Sequence, residues 1–337
     1  MRGRTDFALA ASLALGGDRC YDPAMRLLYV MDPLERMHPQ KDTTFAFMRA
    51  SMALGHRCFH CLPHHITLKD GRAFAHAREA TVSEIAPHHA YGPKSTLPID
   101  ELDAVLIRKD PPFDHAYSLM TLCLEHVRGK TLVVNDPQGL REANEKLYAL
   151  HFAKWMAPTI VSSNKEEIRE FVASVGGKGV IKPLDGAGGV GVMALQTEDK
   201  NLKAIVDVVT GEGTRLAMVQ AFIPKVTEGD KRVLLLDGDV LGAILRVPTA
   251  DDFRANIHVG GSVKPTELTS REKDLVADIA PRLRKDGLVF VGLDLIGEHL
   301  TEVNVTSPTG IQELGRFSGT RPEEKVIRWI EEHRVRR

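Results

Sequence analysis

The chain of 337 residues is long enough for about two or three domains with a sizeable buried core. Its 44 Lys and Arg balance 45 Asp and Glu, leaving a net charge of −1, so no basic surplus points to nucleic acid or an anionic membrane. No apolar run reaches the roughly 18 residues of a membrane-spanning helix, and four scattered cysteines (Cys20, Cys58, Cys61, Cys123) argue against a disulfide scaffold and make a reducing cytoplasm the simplest setting.

Residues 1–24 form an extension to the rest. They begin Arg2-Gly-Arg4 and run through the apolar stretch Phe7–Gly16. Two readings stand: the n- and h-regions of a secretory signal, or residues upstream of a true start at Met25. Leu27–Met31 reads as a first strand. Lys41-Asp-Thr-Thr44 then supplies N-cap residues to a helix reaching Gly55, and Arg57–Leu62 reads as a second strand. Strand, helix, strand suggests a small α/β layer. Cys58 and Cys61 lie in that second strand beside several histidines. Residues three apart on a strand face opposite ways, so packed thiols are a better reading than a metal clamp.

Asp100–Asp103 leads into a buried strand, Ala104–Ile107. At its exit stands Arg108-Lys-Asp-Pro-Pro-Phe-Asp114. Charges held by prolines at the C-terminal end of a strand are where open α/β sheets place ligands. Tyr117–Val127 reads as a helix and Thr131–Asn135 as a strand. A helix over Leu140–Trp155, started by Pro137 and carrying Lys146, marks a domain boundary. Thr159–Val161 and a helix over Lys165–Val175 follow, then a strand, Gly179–Lys182, ending in a lysine.

Next comes Asp185-Gly-Ala-Gly-Gly-Val-Gly191, which contains G-x-G-x-x-G at Gly186, Gly188 and Gly191, with Gly189 between. A dinucleotide fingerprint must open a helix. This loop opens instead into the strand-like Val190–Leu195, and it lacks the G-K-[ST] of a Walker loop. What remains is strand, glycine turn, strand, whose N–H groups can meet phosphate oxygens. Lys146 and Lys182 would act there as point charges.

A helix over Asn201–Thr210 precedes the apolar strand Leu216–Pro224, whose backbone could meet a purine edge while Phe222 and Ile223 pack on the base. Lys231–Arg246 is a hairpin turned by Asp237-Gly238, opened by Arg232 and closed by Arg246. Pro248–Pro265, with Arg254, Asn256, Gly260 and Gly261, has the length and glycines of a flap. A helix over Glu267–Lys285 leads to a second hairpin, Val289–Pro308, broken at Gly297–His299. Asp294 lies on its first strand, Glu302 and Asn304 on its second, and a tight turn brings Asp294 opposite or diagonal to them. The residues alone leave open a Mg²⁺ clamp and a solvated edge hairpin. An amphipathic helix over Pro322–Arg336 ends the chain.

From Met25 to Thr309 these segments resemble the bacterial glutathione synthetases of the ATP-grasp superfamily. The resemblance rests on Met31-Asp-Pro33, Lys41-Asp42, Arg108–Asp114, Asn144-Glu-Lys146, Ile181–Gly186, Gly229-Asp-Lys-Arg232, Arg254-Ala-Asn256, Gly260-Gly261, Phe290–Asp294 and Thr301–Thr309. The chain departs from the family pattern at Ala221-Phe222, where an Asn-Tyr pair is expected, and at Gly310 and Gln312, where a bulkier residue and Arg are expected. The resemblance implies an α/β (α+β) chain with the ATP-grasp fold. It implies a Rossmann-like N-terminal domain over residues 25–145, a central lid over 146–215 and a C-terminal unit over 216–337, with ATP between the last two. It also implies ATP-dependent joining of γ-glutamylcysteine to glycine through an acyl phosphate, in a cytoplasmic homo-oligomer.

The same resemblance assigns roles. Lys146, Lys182, Gly186, Gly188, Gly189, Gly191, Gln220, Ala221, Phe222, Ile223 and Asp230 would bind ATP. Asp294, Glu302 and Asn304 would hold Mg²⁺ or Mn²⁺. Arg232 and Arg254 would stabilise the acyl phosphate and the oxyanion. Arg108, Asp110, Asn256, Gly260, Gly261, Ser307, Pro308 and Thr309 would contact the substrates. The alternatives are another ATP-grasp carboxylate–amine ligase or a catalytically idle nucleotide-binding module.

Overall fold

The computed structural model describes residues 24–186, 188–248 and 262–336. The extension before residue 24 and the flap residues Arg254, Asn256, Gly260 and Gly261 lie outside them. The first sheet is built on β1 (Arg26–Met31), an apolar strand buried on both faces and therefore central. Asp42 caps α1 (Thr43–Ala53) by accepting from the Thr44 and Phe45 amides. The chain continues through β2 (Arg57–Cys61), β3 (Ile66–Lys69), β4 (Arg72–Val82), β5 (His89–Pro98), β6 (Ala104–Arg108), α2 (His115–Leu124) and β7 (Leu132–Val134). The order is β3-β4-β2-β1-β6-β7, with β5 on β4. The β2-β1-β6-β7 part is parallel, as the alternating strands and helices predict.

Sequence reading passes over the antiparallel extension β3–β5. Its inward residues on β4 are Ala73, Ala75, Ala77, Ala80 and Val82, mostly too small to register as an apolar stripe. Cys58 and Cys61 are buried on opposite faces of the sheet, in separate apolar clusters. Burial pushes both thiols up to about 12, consistent with packed, unreactive cysteines.

The expected helix over 140–155 is broken. α3 (Pro137–Glu142) stops, and a 3-10 segment covers Tyr148–Trp155. The Asn144 side chain accepts from the Lys146 and Leu147 amides, a local turn that competes with helix. The second sheet contains β8 (Thr159–Ser162), β9 (Lys178–Pro183), β10 (Met193–Gln196) and β11 (Ala217–Ala221), in the antiparallel order β10-β9-β11-β8. Helices α4 (Lys165–Ser174) and α5 (Leu202–Thr210) cover it over a separate cluster of Ile168, Val172, Ile181, Leu195, Val206 and Val219, while Met218 of β11 joins the larger cluster of the first and third sheets. β11 therefore pairs within the central unit, whereas the sequence places the boundary before it, between residues 215 and 216. An apolar strand does not name its partner.

The third sheet has the order β14-β13-β12-β15-β16. Its strands are β12 (Asp230–Leu236), β13 (Asp239–Val247), β14 (Ser262–Pro265), β15 (Phe290–Ile296) and β16 (His299–Asn304), with α6 (Ser270–Lys285) between β14 and β15. Asp237 and Gly238 both have positive φ, 50° and 79°, as a two-residue primed turn requires. α7 (Ile311–Ser318) and α8 (Pro322–His333) return to pack on α1. One apolar cluster runs from Leu28 and Ile107 to Val233, Leu293 and Val303, joining the first and third sheets in one core.

Candidate functional site

The three sheets meet around a cavity of about 1800 Å³. On one side it is walled by Lys182 at the end of β9, by Gly186, Gly188 and Gly189 of the following turn, by Gln220 and Ala221 at the end of β11, and by Phe222 and Ile223 after it. Asp230, Arg232, Asp294, Glu302 and Asn304 of the third sheet form the floor. Arg108 at the end of β6, Asp110 in the loop after it, and Ser307, Pro308 and Thr309 from the β16–α7 loop close the far side. The sequence-predicted residues that are described thus converge on one cleft. Lys146 and Gly191 do not line it, and Lys146 reaches it through its contacts with Gly186 and Glu302.

The phosphate-binding candidates have defined partners. Lys146 donates to the Gly186 carbonyl, and its ammonium lies 3.7 Å from Glu302. Lys182 donates to Gln220 Oε1 at 2.6 Å, and Gln220 Nε2 donates to Thr159 Oγ1. Gln220 thus lines the cleft and holds Lys182 in place. Burial lowers the Lys182 pKa, helped by the like charge of Lys146 and opposed by Glu302. Gly191 has φ +74°, open to glycine without strain. The Ala221 and Phe222 amides donate internally, to the Pro158 and Lys178 carbonyls.

Two β-bulges bring the charged floor together. In the β12–β13 hairpin the register shifts between Leu234 and Leu235, which puts Arg246 opposite Asp230. In the β15–β16 hairpin a shift after Asp294 puts Glu302 opposite it, with Asn304 opposite Gly292. The turn there is Gly297-Glu298, both at positive φ, and His299 already belongs to β16. Arg232 sits opposite Asp294 on the other flank. Arg246 grips Asp230 with Nε and Nη2 at 2.5 and 2.7 Å. Asp294 takes Arg232 on both oxygens, at 2.5 and 2.9 Å, and Arg246 at 2.9 Å. Burial works to raise the Asp294 pKa, but the two guanidiniums outweigh it and hold the carboxyl well below its usual range. Asp230, whose burial is less fully offset by Arg246, is pushed up to about 6. The sequence places Arg246 only at the end of a hairpin. Its role depends on a bulge that composition does not announce.

Among the described residues no three His, Cys, Asp or Glu side chains gather as a metal cluster. The candidate donor set is instead two carboxylates and an amide. Asp294 and Glu302 are cross-strand partners, and Glu302 and Asn304 share a face two residues apart. These hard oxygens at the cleft floor fit Mg²⁺ or Mn²⁺. Both Asp294 oxygens carry guanidinium bonds, so Glu302 and Asn304 are the more available donors.

Arg108 is buried and donates to Thr44 Oγ1 and to the Pro308 carbonyl, at 3.1 and 3.0 Å. Its guanidinium lies 5.5 Å from the rings of both Phe47 and Phe290. Arg232 donates its remaining arm to the Thr309 carbonyl at 3.2 Å. The loop carrying Ser307–Thr309 is thereby tied from two sides. A third tie comes from Glu145, which no sequence pattern singles out: one carboxylate oxygen accepts from the Val305 amide, the Thr306 amide and the Thr306 hydroxyl.

Two family models match consecutive parts of the chain: the prokaryotic glutathione synthetase N-terminal domain over residues 25–141, and the prokaryotic glutathione synthetase ATP-grasp domain over residues 145–319. A glutathione synthetase of Synechocystis sp. is 44% identical over 318 residues, covering 91% of this chain and 99% of the relative. One from Nostoc sp. is 41% identical over 320 residues, covering 92% and 98%. Among solved structures, a D-cycloserine synthetase superposes with a TM-score of 0.62 at 16% identity, covering 90% of this chain and 99% of that one. At that identity the likeness speaks for the fold alone. The chain belongs to the prokaryotic glutathione synthetase family, ATP-dependent ligases built on the ATP-grasp fold.

Proposed function

We propose that this chain joins γ-glutamylcysteine to glycine, converting ATP to ADP and phosphate through an acyl phosphate, in the cleft between the second and third sheets. The convergence of Lys146, Lys182 and the glycine turn with Glu302, Asn304 and Arg232 on one cavity carries the reading. The adenine would pack against Phe222 and Ile223. With the Ala221 and Phe222 amides already engaged, its edge would meet carbonyl oxygens or the Ile223 amide. Lys146, Lys182 and the N–H groups of the Gly186–Gly191 turn would hold the phosphates, and Asp230 would set the charge of the floor through Arg246.

Glu302 and Asn304, with Asp294, would hold Mg²⁺ or Mn²⁺, which when bound neutralises phosphate charge. The cysteinyl carboxylate attacks the γ-phosphorus, ADP leaves, and an acyl phosphate forms. The glycine amine then attacks its carbonyl carbon, loses a proton and displaces phosphate. Arg232 faces the developing charge, and Arg254 of the flap is its partner in this reading. Arg108 and Asp110 would recognise the γ-glutamyl end, Arg108 chiefly by shaping the wall through Pro308. Ser307–Thr309, Asn256, Gly260 and Gly261 would complete the substrate site. A cytoplasmic location, where ATP is plentiful, and a homo-oligomeric state belong to the same reading.

The test is phosphate release by purified protein with ATP and Mg²⁺, offering γ-glutamylcysteine and glycine singly and together. Turnover should require both; ATP hydrolysis indifferent to either would overturn the reading. Glu302→Gln should keep the wild-type melting temperature and lose about 100-fold or more in turnover. Near-wild-type rates in that variant would refute its metal role.

A further inference from the structure

Three successive residues, Asn144, Glu145 and Lys146, reach in different directions. Asn144 Nδ2 donates to the Leu184 carbonyl at 3.1 Å, and Lys146 donates to Gly186, so both secure the glycine turn. Glu145 points the other way. A single oxygen accepts from the Val305 amide at 3.0 Å, the Thr306 amide at 3.1 Å and the Thr306 hydroxyl at 2.9 Å. Its own carbonyl accepts from the Val303 amide at 3.0 Å. Burial raises the Glu145 pKa, and the Thr306 bonds oppose that rise. A half-buried carboxylate in the cleft wall, kept on one short stretch of loop, acts as an anchor, since hydrogen bonds to a charged acceptor are the stronger kind.

The stretch it anchors lies between Asn304 and Ser307–Thr309, so any drift of Val305 and Thr306 moves the wall against which the dipeptide would lie. We infer that Glu145 is a positioning residue for the wall of the dipeptide-substrate site, separable from the ATP-holding function of its two neighbours. Glu145 fixes the wall and Lys146 fixes the glycine turn, so one dipeptide unit sets both halves of the cleft. The inference rests on the activity proposed above.

Steady-state kinetics on the full chain test it. Wild-type enzyme is first shown to form glutathione; failure there refutes the activity and this inference together. In Glu145→Ala, and in Glu145→Asp, whose carboxylate is too short to reach, KM for γ-glutamylcysteine should rise about tenfold. KM for ATP should stay within about threefold, because Asn144 and Lys146 still hold the glycine turn. Glu145→Gln, which keeps an acceptor oxygen at the same reach, should recover most of the loss. Thr306→Val, which keeps the fold but removes one of the three bonds, should shift the same KM in the same direction by about threefold. Equal changes in both KM values, or a lower melting temperature with unchanged KM values, would overturn the inference. If Glu145→Ala does not fold, Glu145→Asp and Thr306→Val decide by the same criterion.

Discussion

At the scale of single residues the cleft floor is a lattice of opposed charges in which no member stands alone. Arg246 is the hinge of that lattice, since it touches both the buried Asp294 and the mostly buried Asp230. Removing it leaves two carboxylates out of water with one guanidinium between them. Breaking a buried pair from one side costs about 3–5 kcal/mol. Arg246→Ala should therefore lower the unfolding free energy by about that amount in urea titrations. A loss below about 1 kcal/mol would mean that water already screens the pair. Arg108 makes a related point. Its charge is committed to Thr44, Pro308 and two aromatic faces, so its effect on a substrate passes largely through the loop it supports.

Elements place these residues through turns and bulges rather than through regular strand geometry. The glycine turn between β9 and β10 folds back over Pro183, and a Cβ on Gly191 would lie 2.9 Å from Pro183 Cγ at a φ of +74°. Forcing an L side chain into that conformation costs about 1–3 kcal/mol, taken locally by the turn. Gly191→Ala should raise KM for ATP about tenfold or more while KM for γ-glutamylcysteine and the melting temperature hold. Titration with a non-hydrolysable ATP analogue would check the affinity directly, and unchanged affinity would remove the turn from the phosphate site. Both hairpins of the third sheet carry a one-residue bulge, and a one-residue slip changes which side chain stands opposite its partner.

Across the whole molecule the cores are unequal. The first and third sheets share a continuous apolar cluster, and the C-terminal helices close back on α1. The second sheet has a small separate cluster from Ile168 to Val219. A unit with its own core can open without unfolding the rest. Amide exchange should therefore be faster across β8–β11 than across β1, β6, β12 and β15, and ATP with Mg²⁺ should slow it selectively. Uniform exchange across the three sheets, or protection spread evenly on adding nucleotide, would contradict this.

The sequence by itself determined the strands and helices with strong periodicity, the strand–turn–strand sense of the Gly186–Gly191 loop, and the roster of charged residues at strand ends. Local pattern suffices there, because a strand's two-residue period and a turn's glycine requirement are properties of the chain. Resemblance to a family then attached roles to Lys146, Lys182 and Glu302. Tertiary structure alone decided that β11 completes the central sheet and that Asn144 breaks the helix expected through Trp155. It alone placed Arg246 against Asp230 and Asp294, and Glu145 against Thr306. Each of these depends on partners far away in sequence or on one extra residue in a ladder. Such contacts follow from the register of packed elements, which the period of an isolated segment does not encode.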